Sequence, residues 1–428
     1  MGRRFHSETN GMLQRLAKTG VAGLMHRTGA DRLIGALNAP HVPLIVGYHS
    51  VVEDFAAGAA GYMPSMLISR RMLERQLDWL ARRYRFISLD ELATRLESGI
   101  PFEEPVAAIT FDDGYRDFYD HAFPLLKRKG IPAAVFVVTD LLGTSRLLIY
   151  DKLYLLLVRA FSTRRFGSFD LFHFLLGLGI PLPDIERMCQ PGDPHAVMRA
   201  LYTALPQAIL HCVVDALETD GKMEESTLRE RHTLSWAMLS EIHRAGVVIG
   251  SHTKTHALLP NEDWQDAWEQ TLGSKQDLER KLGITIRHFA YPNGSFNTFS
   301  VRVVANAGYR FAYTTCSHRD PDAPLLTIPR KLLWERSCMD AFERFSPSIM
   351  SCLVHGVFDF AASCAQEHRS PGMVPPMPSK DSRKGRDGTP HEATPRSTVS
   401  ENLHAKRPHP APALTHGMTE RDDHGIDL

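Results

Sequence analysis

The chain has 428 residues, 49 Lys+Arg balancing 49 Asp+Glu for a formal charge of +0, and 43% hydrophobic, 23% charged and 9% aromatic residues. Balanced charge gives no global field to hold nucleic acid or an anionic membrane, so no nucleic-acid partner is expected and a charged partner would have to meet a local patch. The richest apolar stretches, LYLLLV at 153–158 and LFHFLLGLGI at 171–180, fall short of the ~18–20 residues of a spanning helix, so no transmembrane segment is expected.

Residues 1–40 read as one or two short amphipathic helices broken by Gly20 and Gly29. The start is basic, but its apolar run from Val21 to Met25 is too short for the core of a secretion signal. Six cysteines at 189, 212, 316, 338, 352 and 364 form no CxxC pair, which suits a reducing compartment. Both features point to a cytoplasmic placement. The basic stretch Met1–Arg32 could lie on the inner membrane surface, and its plainer reading is a helix pair packed on the body.

VPLIVGYHSVV at 42–52 is a buried-strand signal. Residues 70–83 predict a helix with Leu73, Leu77 and Leu80 on one face, and Ser88 with Glu91 form a capping-box pattern for a helix stopping at Gly99. PVAAITFDDG reads as a strand ending in a turn, YDHAFPLLKRKG as a helix and IPAAVFVVTD as a strand. The alternation lapses between about 143 and 230, predicting a helical insertion. It resumes with LSWAMLSEIHRAG (helix), VVIGSH (strand), WEQTLGSKQDLERKLG (helix), ITIRHFAYPNG (strand), FSVRVVANAG (helix) and YRFAYTT (strand). Strands alternating with helices predict a parallel sheet, open or closed into a barrel. Residues 371–428 hold 9 of the 27 prolines and no Phe, Tyr or Trp follows Phe360, so a disordered tail is expected over 365–428, after a C-terminal extension at 346–364.

Four places could carry chemistry. Asp112 and Asp113 close a strand as adjacent carboxylates, whose repulsion a cation bound by one would relieve, leaving the other as a base; the plain alternative is a solvated turn. His252 and His256 in GSHTKTH have an H-x-x-x-H spacing that 21 histidines in 428 residues would produce about once by chance. Placement at a strand end, where α/β folds hold their sites, raises its weight. Two His and one Asp make three ligands with an open position, the plan of a catalytic zinc site. In FAYPNG, the Asn293 N–H could serve as an oxyanion donor or simply belong to a turn. His49 in GYHS closes another buried strand, where a hydrogen-bonded core histidine is the bland reading.

Together TFDDG, SHTKTH and a Pro-x-Gly turn, in this order at strand ends, resemble the polysaccharide deacetylase family, the NodB homology domain of carbohydrate esterase family four. The resemblance covers about residues 42–345, with a helical segment over 1–41 outside it. It implies a distorted (β/α)7-type barrel with a metal at its carboxyl face. Asp113, His252 and His256 would bind a divalent metal, Zn2+ fitting best and Co2+, Ni2+ or Fe2+ suiting the same donors. Asp112 would be the general base and Asn293 the oxyanion donor.

Two family features are displaced. The Arg expected before Pro292 is absent, and Arg330 in TIPRK, placed just after a further apolar strand, is the candidate substitute. The Leu-x-His strand carrying the family's acid has only a loose match at His355. VGYHS is similar to the N-terminal Tyr-His strand of the subgroup that looks like poly-N-acetylglucosamine deacetylases, which favours His49 as the acid. The implied reaction is hydrolysis of an N-acetyl group on a carbohydrate substrate, an N-acetylated glycan or a lipid- or nucleotide-linked precursor. A sugar deformylase, another amide hydrolase and a silent carbohydrate-binding protein stay open as alternatives.

Overall fold

The computed structural model describes residues 2–38, 42–56, 63, 66–162, 168–179, 193–218, 222–316 and 318–359. The tail expected at 365–428 lies outside them. The described residues form ten strands: β1 Leu44–Tyr48, β2 Ser50–Val52, β3 Leu67–Ser69, β4 Arg85–Phe86, β5 Val106–Phe111, β6 Ala133–Val137, β7 Val248–Ser251, β8 His288–Ala290, β9 Phe311–Tyr313 and β10 Lys331–Leu332. Seven of them run in the order β10-β1-β5-β6-β7-β8-β9, all pairings parallel, and β4 pairs with β5 off this path. Ile328 bridges Tyr313 of β9 while Lys331 and Leu332 pair with β1. One short segment thereby joins the two ends of the sheet, giving the distorted seven-stranded barrel.

Two-residue periodicity sorts the strands into an inner and an outer face. Ile45, Ala108, Ala134, Phe136, Ala290, Phe311, Tyr313 and Ile328 form one cluster that fills the barrel. Alternate residues, Leu44, Val46 and Tyr48 of β1 and Ala107, Ile109 and Phe111 of β5, join the larger core under the surrounding helices. Helix Leu89–Ser98 adds Leu89, Leu92 and Ala93 to the inner cluster. It is pinned to the amino ends of β8 and β9 by Asp90 with His288 and Glu97 with Arg310. The opposite, carboxyl end is left for the site.

Local signals explain most helices. Ser69 caps Arg70–Ala81 by accepting from Met72 N, and Leu73, Leu77 and Leu80 are buried with Met72, Gln76 and Trp79. Ser88 likewise accepts from Glu91 N, but the Glu91 carboxylate pairs with Arg85 at 3.1 Å, so only one half of the expected box is seen. Gly20 does not break the first helix, which runs Gly2–Thr28 to a turn at Gly29 (φ 73). A lone glycine costs a helix only about 1 kcal/mol, and this one leaves room on a helix that is buried elsewhere at Ala22. Pro347–Val354 packs Ile349 and Cys352 against Ala22.

Between β6 and β7 come helices Ile149–Ser162, Ser168–Gly177, Pro194–Ala204 and Gln207–Leu217. Leu153, Leu157, Val197, Leu201, Leu210 and Val213 give them a core of their own, reaching the barrel through Tyr115, Val138 and Leu258. The strand expected at ITIRHFAYPNG is confined to His288–Ala290, and the apolar Leu325–Leu326 sit in a 3-10 turn, so β10 begins after Arg330 rather than before it. No described helix is long and apolar enough to cross a membrane.

Candidate metal centre at the carboxyl end of the barrel

The inward rows of the strands continue one residue past their ends. Ile45 and Gly47 lead to His49, Ala108 and Thr110 to Asp112, and Gly250 to His252, while Ile328 leads to Arg330. Sheet parity therefore gathers four polar side chains from distant parts of the sequence into one mouth.

The chain then turns sharply. Asp113 (φ 69), Thr253 (φ 67), His256 (φ 65) and Asn293 (φ 55) are four of the five non-glycine residues with positive φ among those described. Each such conformation costs on the order of 1 kcal/mol or more, and clusters of them mark functional sites. Gly114 (φ 66) is required here, because a Cβ would approach the Val137 side chain to 2.8 Å. At Gly294 a Cβ would meet Thr315 N at 2.6 Å, so the turn after β8 also needs glycine.

Asp113, His252 and His256 are buried, and their ligand atoms lie within 4.8 Å of one another. Asp113 Oδ1 stands 3.0 Å from His256 Nε2 and 3.5 Å from His252 Nε2. That oxygen is buried with no hydrogen-bond partner. The other imidazole nitrogens are engaged: His252 Nδ1 with Ala290 O at 2.7 Å, and His256 Nδ1 with the Tyr202 hydroxyl at 2.6 Å. Carbonyls only accept, so His252 donates from Nδ1 and its neutral ring presents a lone pair at Nε2. Burial keeps it neutral by lowering its pKa to about 4. An orphaned carboxylate oxygen beside imidazole nitrogens held in the ligating tautomer is the donor set of a borderline divalent cation, and these residues fit one.

Asp112 faces a different partner. Arg330 donates from Nη1 to Asp112 Oδ1 at 2.6 Å and from Nη2 to Oδ2 at 2.7 Å, a buried bidentate pair. Its guanidinium also donates to Thr110 Oγ1 at 3.1 Å and Thr314 O at 3.2 Å, and lies 5.2 Å from the Phe136 ring. Burial pushes the Asp112 carboxyl up, but Arg330 and then the His252 imidazole outweigh it and hold it below the ordinary range. His49 Nε2 is 3.9 Å from Asp112 Oδ2.

His355 sits elsewhere. It follows Pro347–Val354, its Nδ1 3.3 Å from Ser351 Oγ and its ring so close to Gly35 that a Cβ there would overlap it at 2.5 Å. Asn293 is exposed, its carbonyl accepting from Thr315 Oγ1 at 3.3 Å, and it makes no hydrogen bond to the aspartates or imidazoles among the described residues. Tyr150 and Tyr202 escape the sequence reading altogether. Tyr150 donates to Asp113 Oδ2 at 2.8 Å and Tyr202 to the His256 carbonyl at 2.9 Å. Their helical spacing among leucines looks like core, and the only signal for them is a hydroxyl placed in such a stripe.

Four residues beyond Asp113, the buried Asp117 accepts from Ser50 Oγ and the Val51 N–H. Burial still pushes its pKa up from 3.8 to about 8, with Asp120 and Asp113 adding to the rise. The folded chain thus keeps a proton that the unfolded chain releases near 3.8. This contribution to stability is full below that value and is lost as pH rises through about 8. Asp117→Asn, which copies the neutral carboxyl, is expected to flatten the decline in melting temperature across this window, and an undiminished decline in the variant would contradict the assignment.

Residues 99–159 and 194–312 match the family model described as polysaccharide deacetylase. These ranges contain Asp112, Asp113, His252, His256 and Asn293, and leave His49 and Arg330 outside. Over 110 residues, 24% of this chain and 38% of the relative, the sequence is 31% identical to a poly-beta-1,6-N-acetyl-D-glucosamine N-deacetylase of Staphylococcus epidermidis. Over 96 residues, 22% of this chain and 14% of the relative, it is 32% identical to a protein of the same name in Escherichia coli K12. The chain spans well under half the length of these curated relatives. The Streptococcus pyogenes deacetylase PplD, solved with acetate, aligns at TM-score 0.46 and 17% identity over 73% of this chain and 99% of that one.

Proposed function

We propose that this chain, which belongs to the polysaccharide deacetylase family, removes N-acetyl groups from an amino-sugar-containing glycan or glycan precursor. Family membership implies a hydrolase acting on amide bonds; the sugar substrate is our reading, supported by the relatives named for deacetylating poly-N-acetylglucosamine. The observation that carries it is the unpartnered Asp113 Oδ1 between two imidazoles, beside an Asp112 clamped by arginine.

Asp113, His252 and His256 would hold the divalent ion, with Zn2+ best suited to two nitrogens and one oxygen. When bound, such an ion supplies Lewis-acid chemistry, polarising the amide carbonyl and making water nucleophilic near neutral pH. Asp112 accepts the proton of the attacking water as general base. Arg330 keeps that carboxylate ionised and aimed, with both of its oxygens fixed by the guanidinium fork. His49, across from Asp112, gives its proton to the departing amine, which otherwise leaves poorly. The Asn293 N–H would stabilise the oxyanion from the turn after β8. The products are acetate and a free amino sugar.

The test is acetate release from acetylated chitooligosaccharides and an acetyl-glucosamine polymer, with and without chelator. Activity that chelation abolishes and Zn2+ restores is expected; release untouched by chelation would refute the metal's part. In the same assay His49→Ala should fall by about a hundredfold or more, the scale of general acid catalysis, while His355→Ala stays close to wild type. The reverse ranking would move the acid to the C-terminal helix.

A further inference from the structure

The proposed mechanism uses the loops that close the strands and gives no role to the inserted helices, although two of them reach the metal-ligand residues with buried hydroxyls. Tyr150 lies in Ile149–Ser162 and meets Asp113; Tyr202 lies in Pro194–Ala204 and meets His256. Tyr202 has one hydroxyl proton, and it is aimed at the His256 carbonyl. The Nδ1 contact is then a donation by the imidazole, which fixes the tautomer with the Nε2 lone pair 3.0 Å from Asp113 Oδ1. Tyr150 occupies Asp113 Oδ2 and leaves Oδ1 as the oxygen without a partner. The Tyr150 hydroxyl lies 2.7 Å from that of Tyr115, whose oxygen is in turn 2.6 Å from Asp151 Oδ2, so polar contacts continue behind it.

We propose that Tyr150 and Tyr202 are positioning residues that make the inserted helices part of the metal centre, so that metal loading and docking of these helices stabilise each other. The inference rests on the metal reading of the Asp–His–His group. Asp113 and His256 are both on positive-φ backbone, and neither ring nor carboxylate keeps its aim from backbone preference alone. Outer partners of this kind orient ligands and tune their basicity. Apolar packing of the insertion reaches the barrel through Tyr115, Val138 and Leu258, and the two hydroxyls add hydrogen bonds to the ligand residues that this packing does not supply. Because coupling is reciprocal, whatever factor docking adds to metal affinity, metal adds to docking.

Zn2+ affinity of the full chain, measured by competition with a chelating dye, should weaken about 10–100-fold in Tyr150→Phe and in Tyr202→Phe. Tyr154→Phe, on the same inserted helix but stacked edge-on to His195, should bind as wild type does. A second readout is independent of catalysis: amide exchange over 149–162 and 194–204 should slow when Zn2+ is added to the wild type, and slow less in Tyr202→Phe. Wild-type affinity in both Phe variants, or exchange in these helices indifferent to Zn2+, overturns the proposal. If metal-free Tyr202→Phe melts far below wild type, Tyr150→Phe decides the affinity arm. No Zn2+ binding by the wild type itself would overturn the metal reading along with this proposal, a failure separable from one confined to the variants.

Discussion

Asp112→Asn is expected to lose acetate release by at least about a hundredfold, the usual worth of a positioned general base, while binding metal as the wild type does. The reason is geometric. Asp112 and Asp113 are neighbours in sequence, but the positive φ at Asp113 sends the two carboxylates to different partners, one to Arg330 and the other to His252 and His256. The amide keeps the volume and one acceptor for the guanidinium and cannot take a proton from water. Metal stoichiometry and melting temperature measured beside the rate separate loss of the base from loss of the site. A fully active variant, or one that lost metal together with activity, would refute the division of labour.

Arg330→Ala carries the largest expected cost to stability. Removing the guanidinium leaves a buried carboxylate without its bidentate partner, and breaking such a pair typically costs about 3–5 kcal/mol. Asp112 would then be pushed up by burial with its main opposing influence gone, so the proton acceptor is lost as well as the fold weakened. Arg330→Lys should recover part of the stability and little of the rate, because one ammonium cannot supply two parallel N–H donors. Urea midpoints and acetate release on both variants check this. Retained activity in Arg330→Ala would show that the clamp does not serve catalysis.

The residues closing β5 and β7 are legible in the sequence because hydrophobic strands that end in Asp-Asp-Gly or Ser-His announce both the strand and its exit. Period two carries a further signal: the inward row of Ile45, Gly47 and His49 and the row of Ala108, Thr110 and Asp112 belong to paired parallel strands, so both point at the same mouth. Arg330 is reachable only through the family resemblance. Its partner is 218 positions away, and nothing local distinguishes an arginine that enters a barrel from one on its surface; even the strand beside it follows the arginine, where apolar content alone suggests that it precedes it. Tyr150 and Tyr202 are hidden for a related reason, since tyrosine among leucines at helical spacing satisfies the same pattern whether its hydroxyl meets water or a ligand. The π turns Phe118–Ala122 and Glu269–Gly273, which interrupt two expected helices, also carry no sequence signature.

In the proposed reaction Asp113, His252 and His256 hold a divalent metal on which hydrolysis depends. Metal per chain by elemental analysis, on wild type and on His252→Ala, with acetate release followed in parallel, tests it most directly. About one zinc-like ion per wild-type chain, lost in the variant together with acetate release, is the predicted result. Full metal content and activity in His252→Ala, or acetate release by a wild type that holds no metal, would contradict it.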